Sequence, residues 1–165
     1  MIRHAGLVAL RLDGRWIGAL LEGASGAGKS DLALRCLDAG FRLVADDRTL
    51  VWASGGALYG RAPDVLSGLI EARGVGIIAD SPVWLAKIVL LAACVPDGKA
   101  IERLPDPICE TIAGIALPRL ELHALEASAP AKIGRAMQHL GVAGQQAYQA
   151  RSLGGRGRAG TGDTH

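Results

Sequence analysis

Near its amino end the chain reads Gly23-Ala24-Ser25-Gly26-Ala27-Gly28-Lys29-Ser30, which fits the pattern G-x-x-x-x-G-K-S. Glycines allow a tight backbone curl in which several N–H groups converge on an anion. Lys29 adds a compact positive charge that can reach the β- and γ-phosphates of a nucleotide, and the Ser30 hydroxyl is placed to ligate Mg²⁺. The pattern therefore predicts a cradle for a nucleoside triphosphate. The alternative is a glycine turn that happens to precede a lysine.

The segments on either side of this loop support a nucleotide site. Residues 16–21 are an apolar run of strand length, and Asp13-Gly14 separates them from a second apolar run over 7–12, which predicts a β-hairpin. After the loop, apolar residues recur at helical spacing up to Gly40, which predicts a helix over 29–39 that ends at this glycine. Strand, loop and helix in this order are what the motif requires.

Composition excludes several classes of protein. A chain of 165 residues, half of them hydrophobic, is expected to form one globular domain. A net charge of only +2 argues against nucleic acid as the main partner. The longest apolar stretch, residues 83–95, is interrupted by Lys87 and is too short to span a bilayer. The amino terminus lacks the pattern of an export signal, so we expect a cytoplasmic protein without membrane contact.

The rest of the chain reads as one α/β domain over residues 1–150 and a disordered tail over 151–165, where Gly, Arg, Thr and Ser dominate. Further strands are predicted over 41–45, 49–53, 88–95 and 120–122, and an amphipathic helix over 132–140. Three cysteines, at positions 36, 94 and 109, lack the spacing of a metal site and are expected to be reduced core thiols.

Two aspartates follow the apolar segment 41–45 and are candidates for catalysis. Ligands bind at the carboxyl ends of strands in α/β sheets, so Asp46 and Asp47 are expected near the loop. Successive strand residues point to opposite faces, so one of the pair should face the phosphates while the other orients Mg²⁺-bound water or caps a turn. The alternative is a turn-forming acidic pair.

Glu71 and Arg73 interrupt an apolar segment over 69–78 that also contains Gly74 and Gly76. Alternation along a single strand would put both charges on one face. Either they form a surface ion pair of little energetic worth, or Glu71 is an oxygen ligand for Mg²⁺ and Arg73 holds a phosphate or steadies Glu71. The two glycines indicate close backbone approach and favour a site.

Together these blocks resemble the catalytic domain of the HPr kinase/phosphorylase family, bacterial enzymes that act on a serine of the phosphocarrier protein HPr. The matching blocks are His4-Ala5, the loop extended to Asp31, Arg42-Leu43-Val44-Ala45-Asp46-Asp47, and Ile70-Glu71-Ala72-Arg73-Gly74-Val75-Gly76-Ile77. The resemblance implies a P-loop-containing mixed sheet with flanking helices. It also implies ATP and Mg²⁺ as cofactors, an HPr-type partner, a hexamer, and a role in regulating the phosphotransferase system.

The resemblance also implies a role for each matched residue. Ser30 and Glu71 would hold Mg²⁺, and Lys29 would neutralise the transferring phosphate. Asp47 would accept the proton of the serine in the kinase direction and return it in the reverse reaction, in which inorganic phosphate attacks and pyrophosphate forms. His4 is similar to the family's histidine near the phosphate.

The chain departs from the family pattern in ways that bear on activity. It begins almost at His4, where full-length members carry a separate amino-terminal domain, and so resembles a shortened form found in some proteobacteria. The family's Arg-Pro-Gly-Arg-Asn segment, tied to dephosphorylation, is absent, and the corresponding region reads Ser128-Ala129-Pro130-Ala131-Lys132. Lys132 supplies a charge without bidentate geometry. Kinase activity is therefore the firmer expectation, and phosphorylase activity is an open one.

Two other functions stay open at this point. A small-molecule kinase would use the same cradle, although the chain shows no arginine-rich lid downstream of the loop. A regulatory module that binds ATP without catalysis would fit the missing arginine segment.

Overall fold

The computed structural model describes residues 1–142, and these form a curled mixed sheet with two α-helices. The strands are β1 (Ile2–Arg3), β2 (Gly6–Leu12), β3 (Arg15–Glu22), β4 (Arg42–Ala45), β5 (Thr49–Ser54), β6 (Ala57–Arg61), β7 (Leu69–Ala72), β8 (Gly76–Ala79), β9 (Ala86–Cys94), β10 (Ile108–Ile112) and β11 (Ile115–Leu122). The helices are α1 (Lys29–Asp38) and α2 (Ala129–Ala136), and a π-helical stretch, Met137–Val142, continues α2.

The main sheet has nine strands in the order β1-β5-β6-β9-β3-β2-β4, and β11 joins β9 with β10 on its outer side. Strands β3, β9 and β11 are parallel to one another. Strand β4 runs in the same direction as β3, because both are antiparallel to β2. The carboxyl ends of β3, β4, β9 and β11 therefore meet at one edge, which we call the carboxyl edge. Ligands of open α/β sheets bind at such an edge.

Two apolar clusters hold the sheet together, one on each face. Both helices contribute to the first cluster, where the spacing of Leu32, Ala33 and Cys36 turns one side of α1 toward the sheet. The second cluster contains strand and loop residues of the described chain and no helical one. From Ile88 to Cys94 every residue of β9 is buried, because this strand is covered on both faces.

The structure confirms most of the predicted elements and corrects two. The hairpin, the loop, the helix after it and the strands over 42–45 and 49–54 form as expected, and Gly40 follows the helix with a φ of 96°. The segment over 69–78 is wrong as a single strand: it is a separate two-stranded hairpin of β7 and β8. The helix expected over 132–140 begins earlier, at Ala129, and changes to π-helical geometry at Met137.

The structure tests the expectations for the tail and the cysteines only in part. The predicted tail over 151–165 and the domain boundary at 150 lie outside the described residues. Cys36 and Cys94 are buried as expected, whereas Cys109 is exposed on β10 and is not a core thiol. Within residues 1–142 no helix is long and apolar enough to cross a membrane.

Candidate active site

The glycine-rich loop over 23–28 leaves β3 after Glu22 and enters α1 at Lys29, at the carboxyl edge of the sheet. Gly23 packs so tightly against β9 that a Cβ there would lie 2.8 Å from the carbonyl oxygen of Cys94. Gly26 and Gly28 have φ values of 79° and 89°, a left-handed conformation that glycine adopts without strain. The amide of Ala27 closes a turn on the carbonyl of Ala24 at 3.0 Å. The glycines thus give the loop the tight curl expected of a phosphate cradle.

Lys29 lies at the mouth of this loop. Its Nζ donates hydrogen bonds to the carbonyl oxygens of Gly23 and Ala24, at 2.8 and 3.2 Å. The ammonium is therefore held over the curl by carbonyls of the loop itself. A bound phosphate would offer it stronger, charge-assisted hydrogen bonds in the same place.

Asp46 connects three parts of the site. Its Oδ1 accepts a hydrogen bond from the Ser30 hydroxyl at 2.9 Å, and its Oδ2 accepts one from the backbone N–H of Glu71 at 3.0 Å. Strand β4 ends at Ala45, so the carboxylate extends from the carboxyl edge toward the first turn of α1. One side chain thus ties the strand end, the loop serine and the β7–β8 hairpin together.

Asp47 differs from its neighbour in both backbone and surroundings. Its φ is 61°, a left-handed conformation that Asp tolerates better than most residues. The side chain is exposed and makes no hydrogen bond to any residue within 1–142. The two carboxylates therefore face different surroundings. Strand alternation is not the reason, because the strand ends before both of them.

The β7–β8 hairpin carries Glu71 but places Arg73 differently from the prediction. Ile70 and Ala72 are buried, so the intervening Glu71 faces outward, opposite Ile77 of β8. The strand ends at Ala72, and Arg73 lies in the turn, so strand alternation does not set its direction. A Cβ at Gly74 or Gly76 would meet nothing within 4 Å, so no described residue of this chain makes the close approach expected there. Their φ values of 86° and 120° show that they serve the turn.

His4 lies beside the exit of β3. Gly6 pairs with Leu21 across the hairpin, which puts the residues just before β2 next to the start of the loop. The following residue, Ala5, is buried, and its carbonyl accepts a hydrogen bond from the Thr49 hydroxyl at 2.7 Å. The imidazole itself is exposed. The structure thus brings His4 to the carboxyl edge with the loop and the aspartates.

An ion-pair network beneath His4 was not predicted from the sequence. The Arg3 guanidinium binds both carboxylate oxygens of Glu22 and also reaches Glu110, which in turn accepts from Arg119 at 3.0 Å. The hydrogen bond to Glu22 raises the pKa of Arg3 further above its ordinary value. The network joins β1, the end of β3 and the β10–β11 hairpin. The β2–β3 register, in which Gly6 pairs with Leu21, brings the segment before β2 near Glu22, but nothing in the sequence indicates the contact with Glu110.

A second unpredicted contact supports the loop from the other side. Arg35 of α1 donates to the carbonyl oxygens of Glu126 and Ala124, and a Cβ on Gly28 would lie 3.2 Å from the Leu125 side chain. Lys132 pairs with the carboxylate of Glu126. The positive charge of Lys132 is therefore already paired with Glu126.

The oxygen donors at this edge fit a magnesium ion. Ser30, Asp46 and Glu71 offer a hydroxyl and two carboxylates, and Mg²⁺ prefers such hard oxygen ligands, often with only one or two from the protein and the rest from water and phosphate. No group of three or more His, Cys, Asp or Glu side chains within 1–142 could enclose a metal by itself. The arrangement therefore suits a metal shared with a bound nucleotide.

Comparison with known proteins gives a consistent result. The family described as HPr Serine kinase C-terminal domain matches residues 4–93. The chain is 35% identical over 150 residues to HPr kinase/phosphorylase of Limosilactobacillus reuteri (strain DSM 20016), covering 84% of this chain and 44% of the relative. It is 34% identical over 149 residues to the protein of the same name from Streptococcus thermophilus (strain LMD-9), with 84% and 46% covered. The chain spans less than half the length of these curated relatives.

A solved structure is similar in fold. The structure of the Hpr(Ser) kinase/phosphatase from Coxiella burnetii superposes with a TM-score of 0.71 and 24% identity, over 96% of this chain and 99% of the other. The α/β architecture expected from the sequence is therefore confirmed.

Proposed function

Because this chain belongs to the family of HPr serine kinase C-terminal domains, we propose that it is an ATP- and Mg²⁺-dependent protein-serine kinase whose acceptor is HPr or an HPr-like phosphocarrier. The observation that carries the proposal is the position of Asp46, whose two carboxylate oxygens accept from Ser30 and from the backbone of Glu71. A bare phosphate cradle needs neither contact. Phosphoryl transfer does need a metal-orienting carboxylate beside the loop serine.

ATP binding is assigned to the loop from Gly23 to Ser30. Its backbone N–H groups and the amino end of α1 favour an anion at this point. Lys29 exchanges its two carbonyl partners for phosphate oxygens and thereby neutralises charge that develops during transfer.

We assign the metal site to Ser30 and Glu71, with Asp46 holding both in place. Mg²⁺, when bound, would supply charge neutralisation to the phosphates. Ser30 and Glu71 would offer it oxygen ligands. Asp46 orients the Ser30 hydroxyl and, through the N–H of Glu71, fixes the strand that presents the second ligand.

We assign Asp47 as the general base. It is exposed, adjacent in sequence to the metal-orienting carboxylate, and has no hydrogen-bond partner within 1–142 that would occupy its oxygens. Asp47 accepts the proton of the acceptor serine as its oxygen attacks, and the same carboxyl returns a proton in the reverse direction. His4 and Arg73 are assigned to the transferring phosphate as neighbouring cationic or hydrogen-bonding groups.

Reverse phosphorolysis is the second candidate, and the names of the matched relatives as kinase/phosphorylase favour it. The absent arginine segment and the engagement of Lys132 with Glu126 argue that this direction is weaker. Hexamer formation and a cytoplasmic location also belong to the proposal, and both rest on the family.

The test is ATP consumption with three kinds of acceptor. The purified chain is given Mg-ATP with HPr, with HPr in which the phosphorylatable serine is replaced by alanine, or with a panel of small hydroxyl compounds. We expect consumption only with intact HPr. Turnover with small hydroxyl compounds alone would identify a small-molecule kinase. ATP binding by calorimetry without turnover on any acceptor would identify a regulatory module.

A further inference from the structure

A large groove lies at the opposite end of the molecule from the phosphate-binding loop. Its volume is about 1120 Å³, and it crosses the amino ends of β3 and β9. The residues that line it and matter for its chemistry are Arg15, Trp16, Arg42, Trp84, Leu85 and Lys87. Trp16 and Glu22 are six positions apart on β3, so about 20 Å of strand separates the groove from the loop. An occupant of the groove would therefore not compete with a nucleotide at the loop.

Large apolar side chains line the groove, and Trp84 among them is accessible. Trp84 is 60% exposed and Leu85 39% exposed, which is unusual for side chains of this size. The guanidinium of Arg61 lies 5.4 Å from the ring centre of Trp84, and that of Arg42 lies 5.7 Å from the ring of Trp16. The guanidinium of Arg11 also lies over Trp16, at 5.9 Å, and Trp16 is half-buried, so Trp84 is the accessible ring of the two. An exposed aromatic ring is a typical anchor of protein interfaces.

The charged residues that line the groove are mostly positive. Arg15, Arg42 and Lys87 line the groove, against a single acid, Asp13. None of the four forms an ion pair with another residue in the described part of the chain. The whole chain has a net charge of only +2, so this concentration of cations is local. Cations that lack an ion-pair partner and lie among apolar side chains complement carboxylates around an apolar side chain.

We propose that this groove binds an acidic segment of a partner protein, in which carboxylates flank an apolar side chain that packs against Trp16 and Trp84. The volume lies slightly above the range of about 300–1,000 Å³ usual for small-molecule sites, and the cations that line the groove come from three different strands. The chain's own residues 143–165 carry Arg151, Arg156 and Arg158 against Asp163, so their charge does not complement the groove. The proposal is independent of the catalytic one.

Tryptophan fluorescence tests this proposal. The chain has three tryptophans, so a Trp52→Phe background leaves Trp16 and Trp84 as the reporters. The probe is a short synthetic peptide without tryptophan in which glutamates flank a leucine pair. We expect saturable quenching by this peptide, and unchanged binding of Mg-ATP when it is present. Charge reversal in Arg15→Glu or Lys87→Glu should weaken peptide binding roughly tenfold or more.

Matched controls separate this site from general attraction of anions. Arg103→Glu removes an exposed cation from the loop between β9 and β10 and should leave the peptide affinity unchanged. Replacing the leucines of the probe by alanine should weaken binding, as should Trp84→Ala, and thermal melting confirms that each variant is folded. The proposal is overturned by the absence of saturable quenching, by equal weakening in Arg103→Glu, or by tighter binding of a peptide that copies residues 143–165. Formation of a dimer that Lys87→Glu dissociates would assign the groove to a second copy of this chain and would also overturn it.

Discussion

Replacing Asp46 by asparagine tests the contact on which the site depends. The carboxylate accepts from Ser30 at 2.9 Å and from the N–H of Glu71 at 3.0 Å. An amide of the same shape offers one oxygen, so it can accept from only one of the two donors. A hydrogen bond to a charged acceptor is worth about 1.5–3 kcal/mol, and partial exposure reduces this to about 1–2 kcal/mol. For a chain of 165 residues we therefore expect a loss of roughly 2–8 °C in melting temperature.

The same substitution should weaken binding of the metal–nucleotide complex. Loss of a group that orients metal ligands costs about 10–100-fold in metal affinity. At a ligand concentration a hundredfold above Kd, binding stabilises the wild type by about 2.7 kcal/mol, and a tenfold weaker Kd leaves about 1.4 kcal/mol. The rise in melting temperature on addition of Mg-ATP should therefore fall to about half in Asp46→Asn. Differential scanning fluorimetry with and without Mg-ATP measures both effects.

Asp47→Asn is the matched control for this prediction. Asp47 has no hydrogen-bond partner within 1–142, and asparagine tolerates its left-handed backbone, so stability and Mg-ATP binding should stay close to wild type, within about 0.5 kcal/mol. If Asp47→Asn is the less stable variant, or Asp46→Asn keeps the full shift with Mg-ATP, the division of roles between the two aspartates is wrong.

Three further predictions concern stability. Gly23→Ala should lower the free energy of unfolding by about 1–3 kcal/mol, because the added Cβ would lie 2.8 Å from the Cys94 carbonyl oxygen. In Gly14→Ala the added Cβ would meet nothing within 4 Å, so only the left-handed backbone is unfavourable. Urea denaturation compares the two variants, and an equal loss of stability would contradict the packing argument. Burial raises the pKa of Cys36 to about 12 and that of Cys94 to about 11, from 9.0 in both cases. The folded state therefore keeps its full stability from the two protonated thiols below pH 9 and loses it as the pH rises toward these values. The urea midpoint should fall above pH 9, and it should fall less in a Cys36→Ala, Cys94→Ala variant. Thr49→Val keeps the shape of the side chain but loses the 2.7 Å hydrogen bond to the Ala5 carbonyl, which holds the segment after His4. The free energy of unfolding should fall by about 1–2 kcal/mol, with a lower melting temperature. An unchanged melting temperature would show that water replaces the contact.

The local parts of the fold were predictable because each has a local cause. The turn at Asp13-Gly14 sets the register of the β2–β3 hairpin, and the glycine loop can only join a strand end to a helix start. Gly40 ends α1 because it accepts a φ of 96°. The sequence blocks shared with the family indicated which residues are candidates for the site. The structure brings His4, the loop, the two aspartates and Glu71 to one edge of the sheet.

The remaining features depend on contacts between distant segments. Arg73 was misplaced because a ten-residue apolar segment fits one strand as well as a hairpin, and only packing of Ile70 and Ala72 on the core decides where the turn falls. The Arg3 network needs the β10–β11 hairpin beside the first strand, and no pattern in the sequence specifies that pairing. The basic groove likewise combines residues from five strands, two loops and the π-helical stretch.

The most direct test of the account is a single-turnover transfer reaction from γ-labelled ATP to HPr, with the phosphorylated position read by mass spectrometry. We expect the wild type to label one serine of HPr. Asp47→Asn, with ATP bound as tightly as in the wild type, should transfer about 10²–10⁴-fold more slowly. Label on a residue other than serine, or an undiminished rate in Asp47→Asn, would contradict the account.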